Sequence, residues 1–151
     1  MASSATGTYD PSLITLSVAG IVLDGFAEDE FVSIEQNAKR FEHKVGVLGE
    51  AARARILDRS GLCTVTLLAT AASNDDLSAL AASDDVTPNG GGIGAFVLRD
   101  RGGTTLVQAA DCWIEEVPPI ALGRAVGNRV WKIRLGKMNT FTVGGATLAS
   151  P

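Results

Sequence analysis

Apolar and polar residues alternate with a period of two along much of this chain. Phe41, His43, Val45 and Val47 take one side of an extended segment, and Arg40, Glu42 and Lys44 take the other. Successive side chains of a strand point to opposite faces, so this pattern predicts a half-buried strand. Over residues 62–69, Cys63, Val65 and Leu67 alternate with Thr64 and Thr66; over 129–135, Trp131, Ile133 and Leu135 alternate with Lys132 and Arg134. Runs rich in Val, Ile, Leu and Thr predict further strands at 13–18, 21–23, 31–36, 93–99, 104–114 and 140–143. Ala19-Gly20, Asp24-Gly25, Asp100-Arg101-Gly102-Gly103 and Gly136 are the turn signals between them.

The period changes once. Ser73-Asn74-Asp75-Asp76 offers an N-cap and two acids for the positive end of a helix. Leu77, Leu80 and Ala81 follow at helical spacing, so a helix is predicted over about 74–83. Residues 46–60 carry neither period and read as a long exposed excursion, with a short helical turn possible at 51–57. Loops of that length in a small domain are functional or become ordered against a partner. Residues 87–92 and 115–128, rich in Gly and Pro, are loops. Residues 1–12 read as a flexible N-terminal arm, 13–143 as one β-domain and 144–151 as a C-terminal tail; residues 1–10 and 145–151 are expected to order only on assembly. The expected architecture is mainly β: an antiparallel β-sandwich or barrel with one flanking α-helix.

Composition narrows the function. The 151 residues suit one domain that needs no staples. The net charge of −4 excludes a chain held to nucleic acid mainly by phosphate contacts. The charge is uneven: residues 1–50 hold eight acids and three bases, residues 101–151 three acids and six bases. Such polarity suits unlike faces that meet in an assembly. No apolar run is long enough to cross a membrane, and no signal peptide opens the chain. Cys63 and Cys112, with His43 the only histidine, make no zinc site and are read as reduced buried thiols.

Catalytic chemistry finds no foothold. There is no nucleophile elbow and no phosphate-binding loop. Gly90-Gly91-Gly92-Ile93-Gly94 opens a strand, whereas a phosphate cradle needs a helix N-terminus behind it. His43 alternates with Phe41 and Val45, which suits a core or interface histidine better than a general base. Asp75/Asp76, Asp84/Asp85 and Glu115/Glu116 are sequence neighbours whose side chains diverge, so none forms a carboxylate dyad. No cofactor, metal or catalytic residue is expected.

One ordered series of segments does resemble a known family. It comprises Gly46-Val47-Leu48-Gly49-Glu50, then Asp58-Arg59-Ser60-Gly61, then Thr64-Val65-Thr66-Leu67-Leu68-Ala69-Thr70, then Asn74-Asp75-Asp76-Leu77-Ser78-Ala79-Leu80. This series resembles the bacteriophage tail tube proteins, chiefly of contractile-tail phages, and the likeness runs over about residues 10–145. Ala71-Ala72-Ser73 departs from the family's more polar turn. The resemblance implies a β-sandwich or barrel whose copies close into hexameric rings that stack into a virion tube. The implied partners are further copies of the chain, the tail sheath, tape measure and baseplate or terminator proteins, and DNA in passage without specific binding. The implied setting is the virion tail, assembled in the host cytoplasm.

Two sets of residues are then candidates for that role. Gly46, Gly49, Glu50, Arg53, Arg55, Asp58 and Arg59 are expected to contact a neighbouring ring or subunit. Some of Glu28, Asp29, Glu30 and Glu35 are expected to face the lumen, because an acidic bore gives sliding DNA no deep minimum. Lys132 and Arg134 are expected to face subunits or sheath instead. Three other readings remain: a β-sandwich binding module of a baseplate or other injection apparatus, a type VI or pyocin-like tube protein, and a small β-barrel enzyme. Few exposed aromatics are available for the first, and no convergent acid, base or nucleophile for the last.

Overall fold

A computed structural model describes residues 7–88 and 91–145. A 3-10 turn at Pro11–Leu13 leads into β1 (Ile14–Val18) and the short β2 (Ile21–Val22). Then come β3 (Val32–Gln36), β4 (Phe41–Val45), β5 (Ala51–Arg55) and β6 (Gly61–Leu68). After helix α1 (Ser73–Val86) follow β7 (Gly94–Asp100), β8 (Leu106–Glu116), β9 (Asn128–Leu135) and β10 (Met138–Thr142). Among the described residues, eight strands form one antiparallel sheet in the order β2-β1-β7-β8-β9-β6-β3, with β10 paired to β8, while β4 and β5 pair only with each other. The mainly β architecture with one helix is as the sequence indicates. Of the expected terminal arms, residues 1–6 and 146–151 lie outside the described residues.

Strand β8 lets one sheet make two layers. Its first half pairs with β10 (Val107 opposite Phe141) and its second half with β9 (Cys112 opposite Leu135). Between the halves the register against β7 slips: Phe96 faces Ala109, yet Gly94 faces Cys112. The extra residue is a β-bulge, which bends and twists a strand. The two leaves therefore close over a common core. Leu16, Val18, Phe96 and Val107 come from one leaf and Cys63, Val65, Leu67, Trp131, Ile133 and Leu135 from the other, all at most 3% exposed. The alternation read in the sequence for 62–69 and 129–135 is the inward half of this core.

Helix α1 covers one end of that core. Leu77 is fully buried and Leu80 packs against the same cluster. The helix begins at Ser73 and runs to Val86, longer than the apolar stripe indicates. Ser73 does not act as the expected side-chain cap. The N-cap is Ala72, and the Ser73 hydroxyl accepts from the Asp24 backbone N–H and donates to Asp24 Oδ1, each at 3.0 Å. Gly25 makes this junction possible: its φ is +74°, and a Cβ there would collide with the Ala71 Cβ.

Candidate assembly interface

Residues 41–55 form a β-hairpin that stands off the main sheet. This corrects two expectations. The possible helical turn at 51–57 is instead strand β5, and the strand at 41–47 is not half-buried: His43, Val45, Val47 and Leu48 are all exposed. Pairing sets Phe41 opposite Arg55, His43 opposite Arg53 and Val45 opposite Ala51, so these six share one face. The Arg53 and Arg55 guanidiniums lie 4.1 Å and 4.9 Å from the Phe41 ring centroid. Cation–π contact thus holds two positive charges side by side on that face. The turn is closed by the Gly46 N–H donating to Glu50 O at 2.8 Å and the Gly49 N–H donating to Gly46 O at 3.0 Å. Gly49 has φ +88°, which favours glycine. Val47 and Leu48 at the tip are 104% and 85% exposed, so the hairpin ends in an apolar knob.

Asp58 and Arg59 play a different part from Arg53 and Arg55. They lie at the joint between the hairpin and β6, where their polar groups serve their own chain. Asp58 Oδ1 accepts from the Ser60 hydroxyl and backbone N–H, and these bonds hold its carboxyl below the usual range. Arg59 Nη1 donates to Ile56 O at 2.8 Å, and Arg59 O accepts from the Met138 N–H.

The acidic cluster Glu28, Asp29 and Glu30 is exposed and rims an apolar groove of about 630 Å³. Ile14, Phe26, Phe31 and Leu98 line it, with the Phe26 and Phe31 rings 4.8 Å apart. Sequence periodicity misses this groove, because its walls come from three separate segments, 9–14, 26–32 and Leu98. The local signal is a pair of phenylalanines flanking three acids.

Glu35 is not part of that cluster. It lies on β3 in one cross-strand row with Leu62 and Arg134. Residues directly opposite in an antiparallel pair point the same way. Glu35 and Arg134 therefore share a sheet face, and Lys132, two residues from Arg134, shares it too. Glu35, one of the acids offered for the lumen, thus lies on the same face as the basic pair expected to point to subunits or sheath. The bases on this face are neutralised: Arg134 binds Glu115 at 2.7 Å and Asn37 at 2.8 Å, and Lys132 binds Glu116 at 3.4 Å. Among the described residues Glu35 has no ion-pair partner.

No metal-binding cluster and no membrane-length apolar helix occurs among the described residues. Cys63 and Cys112 are free and fully buried. Burial pushes the Cys63 thiol well up and the Cys112 thiol up to about 11, which leaves both protonated and unreactive at neutral pH.

Solved structures share this fold. A chain of the sheath–tube complex of an extracellular contractile injection system (PVC, extended state) matches with TM-score 0.55 and 10% identity, covering 87% of this chain and 89% of that one. The tube-terminating cap of the anti-feeding prophage matches with TM-score 0.54 and 6% identity over 91% and 93% of the two chains. The PVC sheath/tube terminator matches with TM-score 0.55 and 8% identity over 89% and 97%. The architecture is thus one found in tube and terminator assemblies of contractile injection systems. In sequence, the chain is 29% identical over 152 residues to structural protein ORF10 of Pseudomonas phage KPP10, covering 97% of this chain and 87% of that relative. No protein-family model matches. The chain thus resembles a phage structural protein in sequence and chains of contractile injection system assemblies in fold.

Proposed function

We propose that this chain is a non-catalytic tail tube protein whose copies close into hexameric rings and stack into the conduit for DNA ejection. The observation that carries the reading is the β4–β5 hairpin. An isolated two-stranded hairpin is marginal in water. This one ends in exposed Val47 and Leu48 and has no sheet partner outside itself, which fits an element completed by another subunit. The phage structural relative and the tube-type fold support the same reading. Rings that join the edge strands β2 and β3 of neighbouring copies would also remove exposed sheet edges.

On this reading the partners are further copies, a tail sheath, a tape measure protein and baseplate or terminator proteins. The protein works in the virion tail after assembly in the host cytoplasm. Glu35 is the acid best placed for the bore, on a polar face whose bases are already paired.

The terminator-type neighbours favour one second reading, a ring that caps a tube without itself stacking. Electron microscopy of the purified protein separates the two. Tubes of uniform bore are expected; single closed rings would favour the cap, and monomers only would reject both.

A further inference from the structure

Two unpartnered surfaces of this chain complement each other. The hairpin presents an apolar tip, Val47-Leu48, above a face bearing Arg53, Arg55 and His43. The groove presents an apolar floor that includes Phe26 and Phe31 beneath a rim of Glu28, Asp29 and Glu30. Apolar meets apolar and base meets acid.

Their placement decides whether they meet within one molecule. The groove lies against the far end of β6, where the Thr66 N–H donates to Phe31 O and Phe26 bridges Leu67. The hairpin leaves from the near end, through the 56–60 joint into Gly61. At roughly 3.4 Å per residue, the five steps from Gly61 to Thr66 put about 17 Å between the points where the hairpin joint and the groove meet β6. A knob at one end of a strand and its socket at the other make a head-to-tail contact. Such a contact is heterologous: it closes into a ring where the rotation allows and otherwise propagates along an axis.

Resting on the tail tube reading, we propose that the 41–55 hairpin of one copy docks in the 26–32 groove of a copy in the next ring. Leu48 packs on the apolar floor that Phe26 and Phe31 form together, and Arg53 and Arg55 face Glu28 and Glu30. The acidic cluster is then an axial socket, which leaves Glu35 for the bore. Burial of the tip supplies affinity, and the charge pairs fix register and speed encounter.

Paired substitutions in the full chain test this. Under mild oxidation, assembled L48C/D29C protein should give a ladder of covalent multimers on a non-reducing gel, and neither single variant should. The native thiols are buried and add no background. R53E/R55E and E28K/E30K should each remain folded by circular dichroism yet fail to make tubes, and the combination should recover tube length. Wild-type tubes with no ladder and no recovery would overturn the docking and leave the tube reading standing. A ladder formed only by D29C with L122C would assign the groove to the exposed 117–127 loop and also overturn it. Wild-type protein that never stacks removes the tube reading and this inference together.

Discussion

The indole N–H of Trp131 donates to Oδ1 of Asn74 at 2.9 Å, which ties the first turn of α1 to the middle of β9. The Asn74 amide donates in turn to Leu68 O at 2.8 Å and Ala71 O at 3.1 Å. One side chain thus satisfies a buried donor and fixes the turn that delivers the helix. Replacing it strands those groups, at about 1–3 kcal/mol per unsatisfied buried group. Asn74→Leu is expected to lower the urea midpoint clearly with an unchanged slope. Asn74→Asp keeps the acceptor but loses both donations, so it should fall between. Equal midpoints for all three proteins would show that this junction contributes nothing to stability.

The two thiols predict an alkaline limit. Burial raises both above their ordinary 9.0, and the neighbouring Cys112 raises Cys63 further. A raised folded-state value means that the unfolded chain loses its protons first. The stabilisation is therefore complete below about pH 9 and drains away as pH rises through about 11. Denaturation midpoints from pH 7 to 10.5 should fall more steeply for wild type than for C63A/C112A, even though the variant starts lower because of its cavities. Parallel curves would contradict the assignment. The same burial predicts that alkylating reagents label neither thiol until the protein unfolds.

Hairpin removal separates folding from assembly. The β4–β5 pair shares no strand partner with the core and contributes no fully buried side chain. Replacing residues 42–54 by a short Gly-Ser turn should leave stability within about 1 kcal/mol, as for other exposed changes. The same protein should form no long tubes. Long tubes from this variant would refute an axial role for the hairpin.

The sequence reveals the strands that bury one face in their own core. Val65, Leu67, Trp131 and Ile133 write a period of two because each second residue meets the opposite leaf. Leu77 and Leu80 write the helical period for the same reason. The hairpin shows where this logic stops. Phe41, His43 and Val45 alternate without any core of their own chain beneath them, and Ala51–Arg55 contains no β-branched or aromatic residue to favour a strand. Neither the bulge in β8 nor the pairing of β10 leaves a local signal, because both are set by contacts distant in sequence. Of the candidate site, the hairpin charges and the acids are legible one by one. That three acids rim a groove while Glu35 shares a sheet face with Arg134 depends on register, which composition does not carry.

The last prediction concerns the bore and follows from that register. On the face shared by Glu35, Lys132 and Arg134, each base is already bound to a glutamate, so Glu35 leaves the surface acidic. If this face lines the conduit, passing phosphates meet repulsion and no free cation. Glu35→Lys would add an unpaired base in every subunit. Each phosphate it neutralises releases counterions, which adds affinity with a log–log salt slope of about 0.9 per contact. Sliding DNA would then meet six new minima in every hexameric ring. E35K virions should assemble with tails of normal length but eject DNA more slowly, with the defect largest at low salt, where screening is weakest. Glu35→Gln removes repulsion without adding attraction and should have a small effect. Glu116→Gln frees Lys132 from its partner and should slow ejection in the same salt-dependent way as E35K. Normal ejection by E35K and E116Q at every salt concentration, from tails of normal length, would place this face away from the DNA path.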